Sequence, residues 1–425
     1  MKQAYESVKN GKSTVILGSA GSGKSTFINY LENNGLKILK LAPTGVASAN
    51  IKGSTIHKFF GFPPRLIELT KVAYLDYNKT NLVRGVDAIL IDEISMVRSD
   101  LMDGIDRSLR KSMMVDYPFG GIPLIFMGDL SQLPPIVSKG AERDYFNFNY
   151  KSEFFFDSNI FTELEEEGAI SFVNFSKIFR QKDEEFIKIL NKIRFNTISQ
   201  AELDELNGKC YLSAKKDNIV LCARNEEVIM INNHNLFDNE NPYENYKGIV
   251  DGQFNYNNCI ADYDLSVKIG CRVMILNNGE GYFNGSLGVY KGLHNVGDNT
   301  PPSMMVELDD SDGTIVYVPR YKYADVKQEY DKKENKITET PTGSMEQFPV
   351  KLGYAITVHK SQGLSFDKIS IDLGRYGSFS HGQTYVAVSR CRTLEGLRLT
   401  KKITKKDIII DPRVKKWLEN YNLVL

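Results

Sequence analysis

Gly18-Ser19-Ala20-Gly21-Ser22-Gly23-Lys24-Ser25-Thr26 follows directly on the apolar run Thr14-Val15-Ile16-Leu17 and leads into Phe27-Ile28-Asn29-Tyr30-Leu31. A β-branched run, a glycine loop and apolar residues at helical spacing predict strand, loop and helix. That is the context in which the pattern G-x-x-x-x-G-K-[ST] cradles phosphate. The glycines let the loop turn tightly, so that successive backbone N–H groups face anionic oxygens. The helix that follows adds its positive end. Lys24 is placed to reach the β- and γ-phosphates and Ser25 to offer its hydroxyl to Mg²⁺, which implies a nucleoside triphosphate and makes residues 18 to 26 the nucleotide-binding candidates.

The rest of the 425-residue chain is ordinary soluble-protein sequence, 42% hydrophobic and 25% charged. No run is long and apolar enough to span a bilayer, and Met1-Lys2-Gln3-Ala4-Tyr5-Glu6-Ser7 lacks a signal-peptide core. The expectation is therefore a cytoplasmic protein without a membrane partner. Five scattered cysteines without a C-x-x-C pair suit a reducing compartment and exclude a disulfide framework or a zinc ribbon. Lysine plus arginine equals aspartate plus glutamate, 53 each. Any nucleic-acid affinity must then come from a local track of contacts and not from bulk charge.

Apolar β-type runs recur at Thr14–Leu17, Leu36–Leu41, Ala88–Ile91, Leu124–Met127 and Phe172–Phe175. Continuous apolar strands alternating with helical segments predict a parallel sheet covered on both faces. The first four runs end at polar or glycine-rich clusters, which places the chemistry at the carboxyl edge of the sheet. A second series, Ile219–Cys222, Tyr354–Val358 and Ile369–Leu373, predicts a second α/β domain. Between its parts, residues 268–348 carry turn signals at Asn284-Gly285 and Asp312-Gly313 and read as an inserted small antiparallel β-barrel. Its charged end, from Lys327 to Met345, reads as a solvated loop or hairpin tip. Residues 58–85, with Phe59, Phe60, Phe62 and two prolines, read as a small projecting insertion. The expected fold is α/β, with two parallel-sheet domains that each carry an insertion. The boundaries are 1–57 and 86–210 for the first domain, and 211–267 and 349–425 for the second.

Asp92-Glu93 follows Ala88–Ile91. A carboxylate at a strand end beside a phosphate loop is where Mg²⁺ is held, with Ser25 as co-ligand. Glu93, one residue on, can accept the proton of an attacking water. Gln132, in Gly128-Asp129-Leu130-Ser131-Gln132-Leu133-Pro134-Pro135, can sense the terminal phosphate, and Pro134 stiffens a loop able to touch a polymer. Arg180 and Arg390 stand in polar clusters and can meet a transition-state charge. His359, Lys360 and Ser361 cap a strand of the second domain, where they can hold phosphate or a base.

The order of these motifs resembles the superfamily 1 DNA helicases, and more narrowly the Pif-type group related to RecD and Dda. The specific pieces are Pro118-Phe119-Gly120-Gly121 leading into Gly128–Pro135, and His359–Gly363 with Gly382-Gln383-Thr384-Tyr385-Val386-Ala387-Val388-Ser389-Arg390. The resemblance implies two RecA-like motor domains, ATP and Mg²⁺ as cofactors, 5′-to-3′ movement on single-stranded DNA and unwinding of forked DNA, by a protein monomeric when free. It also implies that Gln3 reads adenine, that Arg180 and Arg390 reach the γ-phosphate, and that Thr44, Thr55, His57, His359 and Lys360 line the DNA track. Phe59–Phe62 sit where the family carries a strand-separating wedge, which makes Phe60 a DNA-binding candidate. The alternatives are an RNA or RNA–DNA hybrid translocase on the same scaffold, and a P-loop ATPase that binds nucleic acid without unwinding it.

Overall fold

The structure is a computed structural model that describes all residues except Ala20 and residues 177–182, 213–217, 255–258, 296–300, 310–312, 332–335 and 424–425. Side chains at 46, 49, 141, 325–331 and 336–342 are also outside the description. The chain divides into two compact units, Met1–Lys216 with Ser361–Leu425, and Asp217–Lys360.

The first unit is built on six strands, β1 (Ser13–Gly18), β2 (Ile38–Ala42), β3 (Ser54–Thr55), β4 (Ala88–Ile91), β5 (Leu124–Gly128) and β6 (Ile170–Phe175). They form one sheet in the order β3-β2-β4-β5-β1-β6, and every pairing is parallel. Because side chains alternate across a strand, the apolar runs serve two cores. Val15, Leu17, Ile89, Ile91, Leu124 and Phe126 enter the core on one face. Ile16, Ala88, Leu90, Ile125 and Met127 enter the core on the other, beneath Phe27 and Leu31 of the helix Lys24–Asn33. The five expected strands are present. The two-residue β3 is too short to leave a periodic signal.

Residues 58–85 do not project. Phe59, Phe60, Ile67, Val72, Leu75 and Val83 belong to the same core as Val15 and Ile91. The segment lies along the helix Ser99–Met113, where the buried Asp100 carboxylate accepts the Ile67 N–H at 2.7 Å and Ser112 Oγ accepts the Leu75 N–H at 2.8 Å. Lys111 Nζ donates to the Val72 carbonyl at 2.6 Å. The aromatics that looked like a protrusion are instead the apolar area that holds the segment down.

In the second unit β7 (Ile219–Cys222) pairs in parallel with β18 (Ala355–Thr357), and the strands between them are antiparallel. These are β8 (Glu244–Lys247), β9 (Ile249–Gly252), β10 (Asp264–Val267), β11 (Arg272–Ile275), β12 (Leu287–His294), β13 (Ser303–Leu308), β14 (Ile315–Pro319), β15 (Tyr321–Asp331), β16 (Lys336–Gln347) and β17 (Val350–Leu352). They form sheets in the orders β14-β13-β12-β11-β17, β15-β16-β9 and β10-β8. The antiparallel part begins at Glu244, earlier than residue 268, because β8 and β9 are polar, half-exposed strands without an apolar alternation. The charged stretch from Lys327 is mostly strand: β15 and β16 stay paired from Tyr321↔Gln347 to Asp331↔Lys336. Its base is anchored in a three-stranded sheet, where β16 also pairs with β9 from Gly343↔Gly252 to Glu346↔Ile249.

The chain then returns to the first unit. There β19 (Ile369–Asp372) pairs in parallel with β20 (Leu397–Leu399), and the helix Pro412–Asn420 closes the first core. Asp411 caps this helix and Pro412 opens it, a favourable start. Its Trp417 stacks on Phe156 at 5.1 Å and meets Phe155 and Phe172 edge-on. Trp417→Ala should therefore cost about 3–5 kcal/mol in urea unfolding. A loss below about 1 kcal/mol, the size of one buried CH₂, would show that the helix is only loosely docked. Among the described residues no helix is long and apolar enough to cross a membrane.

Candidate nucleotide site

β1 ends at Gly18, and the chain turns through Gly21 (φ 77°) and Gly23 (φ 88°) into the helix Lys24–Asn33. Both positive φ values are ones that glycine adopts without strain. A Cβ on Gly18 would lie 2.3 Å from Ser22 Oγ, so the loop closes only around a glycine. Lys24 Nζ donates to the loop's own carbonyls, Gly18 at 2.7 Å and Ser19 at 3.0 Å. Those two oxygens occupy the donors that a phosphate would claim. Ser22 Oγ is buried without a partner, while Ser25 and Thr26 are exposed at the first turn of the helix. Ala20 lies outside the described residues.

Three carboxylates face this ammonium. Burial lowers the Lys24 pKa, and Asp129, Glu93 and Asp92 push it back up, with Arg194 opposing them. Burial, reinforced by the neighbouring Glu93 charge, pushes the Asp92 carboxyl up to about 7. Glu93 sits at φ 49°, a left-handed conformation that is costly for a residue with a Cβ, and its Oε2 is buried with no partner. An acid pair that is short of positive charge and of donors fits a bound cation. Among the described residues there is no histidine–cysteine–carboxylate cluster that could hold a metal ion. The donor set here is hard oxygen only, the chemistry that suits Mg²⁺.

β5 ends at Gly128, where a Cβ would lie 2.9 Å from the Ile94 nitrogen. The next residue, Asp129, is fully buried, and burial alone would raise its carboxyl. The charges of Arg194 and Lys24 and hydrogen bonds from Arg194 and Tyr385 instead hold it below the usual range. Gln132, also buried, donates its N–H to the Asp129 carbonyl at 3.0 Å, and its Oε1 accepts Gln362 Nε2 at 3.4 Å.

Other expected residues lie at strand or helix ends. Gln3 is exposed on the helix Lys2–Lys9, whose Ala4 and Val8 pack in the second core. Thr44 Oγ1 accepts the Ala47 N–H at 3.2 Å at the start of the helix Gly45–Asn50. Thr55 caps the helix Ile56–Phe60 by accepting the Lys58 N–H at 3.3 Å. His57, on that helix, is kept neutral by burial and by the Arg98 charge. Pro134 is half-buried. Phe60 is a correction: it is 8% exposed, in edge contact with Phe59 and stacked on Phe62, and so offers no platform to a base.

In the second unit, His359 and Lys360 form a single turn after β18, and burial lowers both of their pKa values. Ser361 begins the return into the first unit and is fully buried. Arg390 packs in the unit that holds Lys24, not with the second domain as expected. It donates to the Val386 carbonyl at 3.1 Å, the Leu364 carbonyl at 3.0 Å and Ser389 Oγ at 3.1 Å. Arg180 lies outside the described residues.

Arg194 and His381, which motif reading passed over, converge here with Tyr385 on the turn from Asp129 to Gln132. Tyr385 and its neighbour Gly382 were in view as part of a motif. Arg194, at the end of an amphipathic helix, carries no local signal.

Comparison with known proteins places the whole chain in a family. Residues 1–204 match the model of the PIF1-like helicases. The chain is 30% identical over 94% of its length to the ATP-dependent DNA helicase Pif1 of a Psychrobacter species, of which it covers 67%. The chain belongs to the PIF1-like helicase family. It is also 31% identical to mouse ATP-dependent DNA helicase PIF1 over 92% of its own length, and spans 58% of that protein. It therefore covers about three-fifths of the length of its mammalian relatives. The crystal structure of the Bacteroides Pif1 helicase in complex with ADP-AlF3 and ssDNA aligns with a TM-score of 0.82 and 36% identity, covering 98% of this chain and 96% of that one. The family's mixed α/β architecture matches the six-stranded parallel sheet and the antiparallel sheets described above.

Proposed function

We propose that this chain hydrolyses ATP to move 5′-to-3′ along single-stranded DNA and to unwind forked duplexes. One observation carries the reading: the half-buried Lys24, its ammonium held by two loop carbonyls, faces an acid pair whose Glu93 oxygen has no partner. A cation beside a glycine loop and an acid pair is the set of groups that phosphoryl transfer requires. The Bacteroides relative, in complex with ADP-AlF3 and ssDNA, supports both nucleotide and strand as ligands.

The pocket's residues then take the following roles. Gln3 reads the adenine. The loop from Gly18 to Thr26 wraps the phosphates, and Lys24 exchanges its carbonyl partners for phosphate oxygens. Ser25 and Asp92 would hold Mg²⁺, which neutralises phosphate charge when bound. Glu93 takes the proton of the attacking water, and its strained backbone keeps the unpartnered oxygen aimed into the pocket. Gln132 answers the presence of the γ-phosphate, and Arg390 meets the charge that develops on it.

Thr44, Thr55, His57 and Pro134 in one unit, Ser361 at the junction and His359 and Lys360 in the other supply the strand contacts. Both histidines are held neutral by burial, His57 also by Arg98, so they suit sugars and bases better than phosphates. The salt dependence of DNA binding should be shallow as a result.

The deciding experiment offers two tailed duplexes with ATP and Mg²⁺. The 5′-tailed duplex should be unwound and the 3′-tailed one left intact. ATP turnover equal with and without single-stranded DNA would overturn the reading. Stronger activation by an RNA oligomer of the same sequence would move it to RNA.

A further inference from the structure

Asp129 joins three segments that are far apart in sequence. Its Oδ1 accepts Arg194 Nη2 at 2.8 Å, Arg194 Nε at 3.1 Å and the Ser131 N–H at 3.1 Å. Its Oδ2 accepts the Tyr385 hydroxyl at 2.9 Å. Arg194 is 5% and Tyr385 4% exposed, so all three groups are withdrawn from water. Asp129 also begins the turn that ends at Gln132, through the hydrogen bond from the Gln132 N–H to its carbonyl.

The returning chain also lines that turn. His381 Nε2 lies 2.7 Å from the Leu130 carbonyl, and its Nδ1 accepts the Asp411 N–H at 2.8 Å. These two partners fix the neutral tautomer, with the proton on Nε2. A Cβ on Gly382 would meet the Ser131 carbonyl at 2.3 Å, so backbone touches backbone there. Tyr385 lies on the helix Gln383–Ser389, which Arg390 terminates.

We propose that Tyr385 and Arg194 are positioning residues. Through Asp129 they set the turn from Asp129 to Gln132, and thereby tie the aim of Gln132 to the seating of the helix that ends at Arg390. A DNA-driven movement of that helix is then felt at the γ-phosphate sensor through one carboxylate. The inference rests on the helicase reading above. It adds a route by which strand binding stimulates turnover.

A buried carboxylate bridged to arginine and tyrosine could also be fold glue, and the two roles separate in a measurement. Tyr385→Phe keeps the ring and deletes the hydroxyl that donates to Asp129. In the full chain it should lower the DNA-stimulated kcat about 10- to 100-fold, the scale of one hydrogen bond to a charged group. The DNA-free rate, the KM for ATP and the thermal midpoint should stay close to those of the unmodified chain. Asp129→Asn should show the same loss of stimulation. The double variant should be no worse than Asp129→Asn alone, because the carboxylate through which Tyr385 acts is then already gone.

An unchanged stimulated rate in Tyr385→Phe overturns the proposal. So does a parallel fall of both rates with a lowered midpoint, or additivity in the double variant. An unmodified chain that single-stranded DNA does not stimulate would overturn the helicase reading itself, and this proposal with it.

Discussion

Glu93→Gln should leave the protein able to bind ATP and unable to hydrolyse it, with kcat reduced about 10²- to 10⁴-fold, the range for losing a general base. The amide keeps the shape of the side chain and removes its capacity to take a proton. The KM for ATP should hold or fall, because no group that touches the ground-state phosphates is lost. The substitution should also be tolerated by the fold. Glu93 Oε2 has no partner to forfeit, and the Glu93 charge is one of the causes that raise the Asp92 pKa. Relieving that repulsion should keep the thermal midpoint at least where it was. Single-turnover hydrolysis beside nucleotide binding reads both quantities. Turnover near that of the unmodified chain would show that the water is activated elsewhere.

Lys24→Ala should abolish productive nucleotide binding. Removing one charge-directed donor from a preorganised oxyanion site costs about 10²- to 10³-fold in rate, and Lys24 also supplies ground-state attraction to the phosphates. The sharper readout is thermal. A ligand at 100 times its Kd stabilises the folded state by about 2.7 kcal/mol, and this rise in midpoint should vanish in the variant. The nucleotide-free protein should survive the change. The ammonium is already desolvated, its partners in the loop are two carbonyls, and Asp129 keeps Arg194 as a counter-charge. A midpoint that ATP still raises by the full amount would remove Lys24 from the phosphate site.

The first motor sheet was readable because its signals are local. Ala88–Ile91 is apolar at every position and ends in two acids, which is enough to place a buried parallel strand with an acid pair at its carboxyl end. The phosphate loop is equally self-contained: its glycines, lysine and hydroxyl act within nine consecutive residues. The charged ribbon at 321–347 went unread for the opposite reason. Its strands pair with each other and, across a long sequence separation, with β9, and their sequence carries no apolar alternation.

What the sequence by itself determined is which side chains stand at each strand end: a glycine-rich loop with Lys24 at Gly18–Thr26, an acid pair at Asp92-Glu93, and a polar, proline-ended loop at Gly128–Pro135. The tertiary structure alone decided which side chains share those ends. Phe60 went into the core because residues 58–85 had apolar area to bury against the helix Ser99–Met113. Arg194 met Asp129 because the last turn of its helix brings the guanidinium to the residue that follows β5. Trp417 brought the end of the chain back to Phe156 across more than two hundred and fifty intervening residues. Backbone chemistry and side-chain period act over a few residues and leave a pattern in the chain. The partner of a buried charge is chosen by packing and desolvation across the whole fold, and no local pattern records it.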